Sequence, residues 1–270
     1  MLRKNIQKYQ KKYHIVWKIV WITSCITIKP KNIRDKNSKK ISIYTLVKII
    51  KNRAILGNFV KKQFINYIFD KISNPKIILE IGSRDAIQSI EFSKLFPKAK
   101  IYAFECYPPC IRTCIKNTKS FKNIEIIQKA IFNKNGEISF YPLSKNIGSG
   151  SVLKVNDDSP IHYLSPIKKI TVEATRIDTW AKEKGIKKID LVWIDLQGAE
   201  YEAFEGMGEY LQNIQAIYTE VENKELYTGQ KLMKDVSRLL NENGLSFLKY
   251  TQISRDLWGN AIYINNNLIK

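Results

Sequence analysis

Residues Lys76-Ile-Ile-Leu-Glu-Ile-Gly-Ser-Arg-Asp-Ala86 decide the fold. The apolar, β-branched run Ile77 to Ile81 suits a strand buried on both faces of a parallel sheet. Gly82 breaks the run and a short polar turn follows. Ile87, Ile90, Phe92, Leu95 and Phe96 then recur at helical spacing. Strand, glycine turn and helix form a unit that holds a nucleoside-like ligand at the carboxyl edge of a parallel sheet. A dinucleotide fingerprint needs three glycines, and here Arg84, Asp85 and Ala86 follow a single one. Glu80 adds negative charge, from which a phosphate-binding turn gains nothing. Carboxylates suit a ligand that carries an ammonium group and a ribose, and S-adenosylmethionine has both.

Outward from this unit, the second strand is read at Lys100–Cys106, with Glu105 near its end, 23 residues after Gly82. That is where a doubly wound nucleotide fold places the acid that binds ribose hydroxyls. A carboxylate there repels a 2′-phosphate, which argues against NADP. The spacing then gives a helix over Pro108–Asn117 and a third strand over Ile124–Phe132. An added strand at Glu137–Leu143 is expected to form a hairpin after the turn Asn133-Lys-Asn-Gly136. Ile147-Gly-Ser-Gly-Ser151 is a small-residue loop able to line a pocket, and residues 152–169 form a cover on the substrate side. A strand at Thr171–Ile177, a short helix at Asp178–Lys184 and a buried strand at Ile189–Asp195 come next. They are followed by helix Tyr201–Met207, strand Ala216–Glu222, and helix Lys231–Asn243 ending at Gly244. Leu245–Tyr250 and Asn260–Ile264 close the sheet as an antiparallel pair at one edge.

Length and composition fit one substantial core with an appendage: 270 residues, 44% hydrophobic. The net charge of +20 is unevenly placed. Residues 1–74 carry 18 Lys/Arg against Asp35 and Asp70, whereas residues 75–270 carry 27 Lys/Arg against 23 acids. The domain reading is therefore a basic, helical N-terminal extension (1–74) and a catalytic domain (75–270). The extension is a candidate for contact with a polyanion or an anionic membrane surface. Within it, Tyr13–Ile28 is apolar but interrupted by Lys18 and short for a bilayer span. Residues 30–40 read as a charged linker, and two helices are expected between Ile41 and Ile72. Four cysteines without a secretory signal pattern point to a reduced, cytoplasmic protein, with peripheral membrane contact open through residues 1–74. Cys106, Cys110 and Cys114 lie four apart, as on one helical face, and have no nearby histidine to complete a zinc site.

Several pieces together resemble the FkbM-type, S-adenosylmethionine-dependent methyltransferases. They are Glu80-Ile-Gly-Ser-Arg-Asp-Ala, Phe104-Glu105 with Pro108, Ala130-Ile-Phe-Asn-Lys-Asn-Gly136 and Gly148-Ser-Gly-Ser. Thr175-Arg-Ile-Asp-Thr179, Ile194-Asp-Leu-Gln-Gly-Ala-Glu200 with Gly206, Glu220 and Leu226-Tyr-Thr-Gly-Gln230 complete the set. The resemblance runs from about residue 76 to 265. It implies an α/β fold of class I methyltransferase (Rossmann-like) type: seven strands, mostly parallel, the last antiparallel, flanked by helices. It also implies cofactor binding by Glu80, Gly82, Ser83, Asp85, Glu105, Cys106, Ala130 and Asp195, with the ribose on Glu105 and the adenine beside Ala130. This chain departs from the family pattern at Ala86 (usually Gly), Cys106 (often Pro) and Gln197 (often Glu).

The resemblance supplies the acceptor class, a hydroxyl of a sugar, glycan or small metabolite. A hydroxyl must lose its proton as it attacks. Asp195 and Glu220, at the ends of adjacent strands, are the candidate catalytic bases. Glu200 is expected to cap its helix and His162 is an outlying candidate base. Asp195 and Glu220 could share a divalent ion, but two ligands without a third do not define a metal site. Two rivals differ in class. One is an RNA methyltransferase that uses the basic segment, disfavoured by the near-neutral catalytic half; the other is a non-catalytic membrane-surface adaptor.

Overall fold

The computed structural model describes residues 32–34, 40–42, 72, 74–144, 146–162, 167–254 and 256–268. The chain falls into two units, Met1–Ile55 and Leu56–Lys270. In the first, β1 (Asn32–Arg34) pairs antiparallel with β2 (Lys40–Ser42), Ile33 lying opposite Ile41. The stretch expected to be a charged linker therefore contributes to a two-stranded ribbon, and Ile41 and Ser42 belong to a strand, not to a helix. The apolar segment 13–28 and the rest of the two expected helices, up to residue 71, lie outside the described residues.

The second unit is organised by β3 (Ile77–Ile81), an interior strand of a seven-stranded sheet. On one side it pairs in parallel with β4 (Lys100–Phe104), which pairs with β5 (Ile124–Ile127). On the other it pairs in parallel with β9 (Leu191–Ile194), which pairs with β10 (Ala216–Glu222). The last strand, β12 (Trp258–Asn265), runs antiparallel to β10 and to the edge strand β11 (Leu245–Gln252). Seven mostly parallel strands with the last antiparallel were expected; the observed order is β5-β4-β3-β9-β10-β12-β11, with only β12 reversed. Chain order turns back between β3 and β9, and a ligand crevice opens at such a switch point.

Alternate residues of each strand feed two apolar layers. Leu79, Ile81, Phe104, Val192 and Ile194 face one layer, in which Trp180 meets Tyr102 and Phe104 edge-on at 4.8 Å each. Ile78, Ile101, Leu191, Trp193 and Tyr218 face the other, with Phe92 of helix α1 (Ile87–Leu95). Asp190 pins the opposite end of the sheet. One of its oxygens accepts the N–H groups of Lys76 and Ile77 at 2.7 and 3.0 Å, and the other accepts the Gln215 amide at 2.7 Å.

Four local readings are revised. Helix α1 buries Gln88, Ser89 and Ser93 beside Phe92, while Ile87 is 44% exposed. A polar inner face is required there because Glu80, buried in β3, needs hydrogen-bond donors. The run read as one third strand is divided: β5 ends at Ile127, and Ala130–Ile131 (β6) leaves for a second, three-stranded sheet. β7 (Gly136–Phe140) forms no hairpin with that run. Its antiparallel partner is β8 (Ile170–Thr175), which lies between β6 and β7 and pairs Ala174 with both Ala130 and Gly136. Finally, residues 152–162 are not a loose cover. Val155 bridges to Tyr227, and Leu143, Val155, Ile161, Leu226 and Tyr227 make a small core of their own; residues 163–166 lie outside the described set.

Helices α2 (Pro108–Thr118), α3 (Ile177–Glu183), α4 (Glu200–Glu205) and α5 (Met233–Glu242) complete the layers close to their expected positions. Gly244 follows α5 with φ 79°, as a helix-terminating glycine should.

Gly82 is the tightest point of the fold. Its φ is +81°, and a Cβ there would lie 1.9 Å from the Asp195 carbonyl oxygen. Gly82→Ala therefore combines backbone strain with a backbone clash, and we expect a loss above about 2 kcal/mol in urea unfolding. Gly136 also has a positive φ (+106°), but nothing lies within 4 Å of its Cβ position. Gly136→Ala should cost only the strain, on the order of 1 kcal/mol.

Candidate active site

The carboxyl ends of β3, β4, β9 and β10 open onto two adjoining cavities that share Gly82, Arg84, Gly148 and Asp195. The first holds about 580 Å³ of empty space, part of it open to solvent. Its walls bring together Gly82, Glu105, Cys106, Ala130 and Asp195, with Phe104, Ile131, Phe140 and Val152 as apolar surface. The second, also open to solvent, holds about 730 Å³ and brings together Ser83, Asp85 and Glu220 with Gln88, Trp193, Tyr218 and Asn260. Seven of the eight residues expected to bind cofactor thus line one cavity or the other, and both candidate bases do.

Glu80 lines neither. Its carboxylate is 1% exposed and accepts the N–H of Ser89 at 2.8 Å and the Ser89 hydroxyl. A buried charge needs such donors, and these tie α1 to β3 beneath the turn. His162 is also outside both linings, with its Nδ1 2.8 Å from the Ser159 carbonyl. Among the described residues no group of three or more acids, histidines or cysteines is placed to hold a metal ion.

Glu105 is held by three backbone donors. Arg84 N–H reaches one oxygen at 2.7 Å, and the N–H groups of Cys106 and Tyr107 reach the other at 2.8 Å each. Burial pushes its proton affinity up and these three donors push back. Cys106 and Cys110 line the first cavity as free thiols. Burial and the Glu105 carboxylate push Cys106 well up and Cys110 up to about 12, so both remain protonated and apolar in character. The small-residue loop lies over this cavity: a Cβ on Gly148 would be 2.8 Å from Arg84 Cδ, and one on Gly150 would be 2.7 Å from the Phe140 ring. Its glycines are required for that close approach.

The candidate bases meet through a residue whose role the sequence did not suggest. Gln197 has φ 56°, a strained conformation for a non-glycine residue. Its side-chain amide donates to Asp195 Oδ1 at 2.6 Å and to Glu220 Oε2 at 2.7 Å. Its carbonyl oxygen accepts the Tyr227 hydroxyl at 3.1 Å, and that hydroxyl also lies 3.0 Å from the Ser149 carbonyl in the loop above. Signals existed in Gln197 and in Leu226-Tyr-Thr-Gly-Gln230, but their convergence depends on tertiary packing. Behind the pair, Trp193 and Tyr218 stack at 3.7 Å and 14°.

Glu200 ties the preceding turn and does not cap its helix as expected: its carboxylate accepts the N–H groups of Leu196 at 2.6 Å and Gly198 at 3.0 Å. Burial first, and the Asp195 carboxylate second, nevertheless push it up to about 8. Burial and Asp195 likewise hold Glu220 well above the usual carboxylate range, and burial, Glu200 and Asp195 do the same for Glu222. Like charges this close cannot all ionise.

These residues fit S-adenosylmethionine. A carboxylate at the end of β4 suits a ribose diol, apolar walls suit a flat base, a glycine wall admits close approach, and carboxylates suit a cationic ligand. Fold and site together define a class I, S-adenosylmethionine-dependent methyltransferase. Comparison narrows this further: residues 77–247 match the methyltransferase FkbM domain, and the chain belongs to that family. It is 33% identical over 202 residues to the 2-O-methyltransferase NoeI of Sinorhizobium fredii, covering 71% of this chain and 80% of that protein. It is 23% identical over 250 residues to the hexuronic acid methyltransferase AglP of Haloferax volcanii, covering 90% and 95%. Among solved structures, the magnesium protoporphyrin IX methyltransferase of Synechocystis PCC 6803, crystallised with S-adenosylmethionine, superposes with a TM-score of 0.48 at 10% identity. That match covers 80% of this chain and 83% of the other. Among the described residues no helix is long and apolar enough to cross a membrane.

The buried acids make stability depend on pH. For Glu200 the folded value, about 8, lies above the ordinary 4.5. Its contribution is therefore complete below pH 4.5 and is lost as pH rises through 8. The unfolding free energy of the cofactor-free protein should fall across that window, by at most ~1.4 kcal/mol per pH unit for one group, and the melting temperature with it. Glu200→Gln should flatten the slope without abolishing it, since Glu220 and Glu222 act in the same direction. A slope unchanged in the variant would show that Glu200 is ionised in the folded protein.

Proposed function

We propose that this chain transfers the methyl group of S-adenosylmethionine to a hydroxyl of a sugar or glycan. The observation that carries the reading is the pair of carboxylates, Asp195 and Glu220, at the ends of neighbouring strands in the wall of the second cavity. The sugar acceptor is drawn from the relatives: one bears the name of a 2-O-methyltransferase and the other of a hexuronic acid methyltransferase. The bound cofactor supplies an electrophilic methyl on a cationic sulfur.

Each protein group then has a distinct task. Glu105 takes the ribose hydroxyls, the surface around Ala130 and Cys106 takes the adenine, and Gly82 leaves room for the chain between them. Ser83 and Asp85, in the turn, face the second cavity, where the acceptor binds. Transfer needs the acceptor oxygen held in line with the methyl and water kept out, and the loop at 147–151 serves as roof. The acceptor proton must go to a base. Glu220 is driven toward its protonated form by burial and by Asp195, which leaves Asp195 as the member of the pair that accepts. Residues 1–74, with their excess of lysine, are assigned to an anionic surface; removing them should abolish salt-sensitive retention on anionic vesicles.

Incubation with radiolabelled S-adenosylmethionine and fractionated glycans, lipids and RNA tests the assignment. Label should enter the glycan fraction, and label confined to RNA would overturn the acceptor class. Asp195→Asn should lower turnover by about 100-fold or more while calorimetry still finds cofactor bound. Full turnover in that variant would remove Asp195 as the base. Glu105→Gln should weaken cofactor binding by about 10-fold or more, because an amide cannot accept three N–H donors.

A further inference from the structure

We infer that Gln197, oriented by Tyr227, is a positioning residue for methyl transfer, fixing the Asp195 and Glu220 carboxylates relative to one another and favouring their ionised forms. The inference rests on the reading of these carboxylates as the site of proton removal. Its own basis is geometric.

Gln197 projects from a left-handed backbone position between β9 and α4, followed by Gly198 at φ 97°. Both hydrogens of its amide are used, one on each carboxylate, at 2.6 and 2.7 Å. An amide could be turned the other way, but its oxygen would then face two acids. Tyr227 favours the observed orientation because its hydroxyl can donate to the amide oxygen. The same hydroxyl lies 3.0 Å from the Ser149 carbonyl in the roof loop, so its single hydrogen is shared between two acceptors, and Tyr227 is 2% exposed. Tyr227 also sits in the small core with Leu143, Val155, Ile161 and Leu226, which braces the ring. The result is a phenol set between the roof carbonyl and the amide oxygen, and an amide that donates to both carboxylates.

The groups that act electrostatically on the pair are Glu200 at the start of α4, Glu222 and Tyr218 on β10, Tyr227 itself, and Arg84 in the turn after β3. Of these only Arg84 is cationic, and its guanidinium is engaged with Asp85 at 2.9 Å. Gln197 is thus a neutral donor in a setting where further negative charge is costly. A neutral donor stabilises either carboxylate as an anion without adding charge of its own. A glutamate at 197 would bring a third carboxylate to the same point, in place of two donors.

The pair can be read directly in the full-length protein by carboxyl ¹³C NMR titration, with Asp195→Asn and Glu220→Gln used to assign the two signals. In Gln197→Ala the pair should ionise about one pH unit higher than in the wild type, because two donors to the anions are gone. Tyr227→Phe should move the midpoint the same way by less, since the amide remains but is no longer held. Circular dichroism and the melting temperature of the same samples report whether each variant is folded. Midpoints unmoved in both folded variants would overturn the inference, and a shift in Gln197→Ala alone would overturn the part assigned to Tyr227. The base reading fails separately: it falls if Asp195→Asn retains full transfer to the glycan fraction, whatever the titration gives.

Discussion

The architecture of this site depends on one close approach. β3 and β9 are hydrogen-bonded neighbours, and the chain leaving β3 must turn directly across the end of β9. Only a residue without a side chain can do so at position 82, where a Cβ would fall 1.9 Å from the Asp195 carbonyl. The contact places the turn 82–86 beside Asp195 and makes the switch point a narrow slot shared by two cavities. Ligand binding at this edge and the packing of the central strands are therefore the same constraint. The turn carries strain as well: Arg84 and Ala86 both have positive φ. At position 86 a buried methyl packs with Ala103 and Cys114. That methyl gains about 0.8 kcal/mol from burial and limits the freedom of the unfolded chain by about 0.5–1 kcal/mol relative to glycine. Together these offset the roughly 1–2 kcal/mol of left-handed strain, which accounts for an alanine where a glycine was expected.

Around this slot carboxylates are distributed according to what satisfies them. Glu80 is bound by Ser89, Glu105 by three backbone amides and Glu200 by two. Such donors are fixed parts of the frame, and these acids tie turns to strands. Asp195 and Glu220 differ because they share donors from a mobile type of group, a side-chain amide. A carboxylate that must take up a proton and give it back cannot be locked by rigid backbone donors on every side. The division between frame and chemistry follows from that.

The same distinction explains what was legible in the sequence. The strands around Gly82 and Asp195, the seven-strand, mostly parallel sheet and the reversal of the last strand follow from apolar runs, glycine positions and the resemblance over residues 76–265. Each is a local signal repeated in a recognised order. Glu80 reads as a ligand contact from the sequence, and its bond to Ser89 was not visible there because Ser89 lies nine residues on in a helix whose inner face is polar. The hairpin at β7 misled because turn residues at 133–136 signal a reversal but not the partner, and β8 enters from more than thirty residues away. Gln197 and Tyr227 were visible only as letters in matched motifs. Their meeting requires a left-handed residue at 197 and a small core formed by chain segments some seventy residues apart.

Placing Asp195, Glu200, Glu220 and Glu222 together at the end of two strands works against stability at neutral pH. A domain selected for stability alone would replace at least some of them with apolar residues, since buried ionisable groups are often exchanged for apolar ones without loss. Their joint presence at the carboxyl ends of β9 and β10 has a physical use if the ligand is cationic. A positive charge introduced there lowers the cost of ionising every acid in the cluster, and the acids in turn favour the cation over a neutral ligand of similar shape. A sulfonium meets that condition before methyl transfer, whereas a thioether does not meet it afterwards. The repulsion stored among the carboxylates thus biases the site toward the charged methyl donor and weakens its hold on the neutral product.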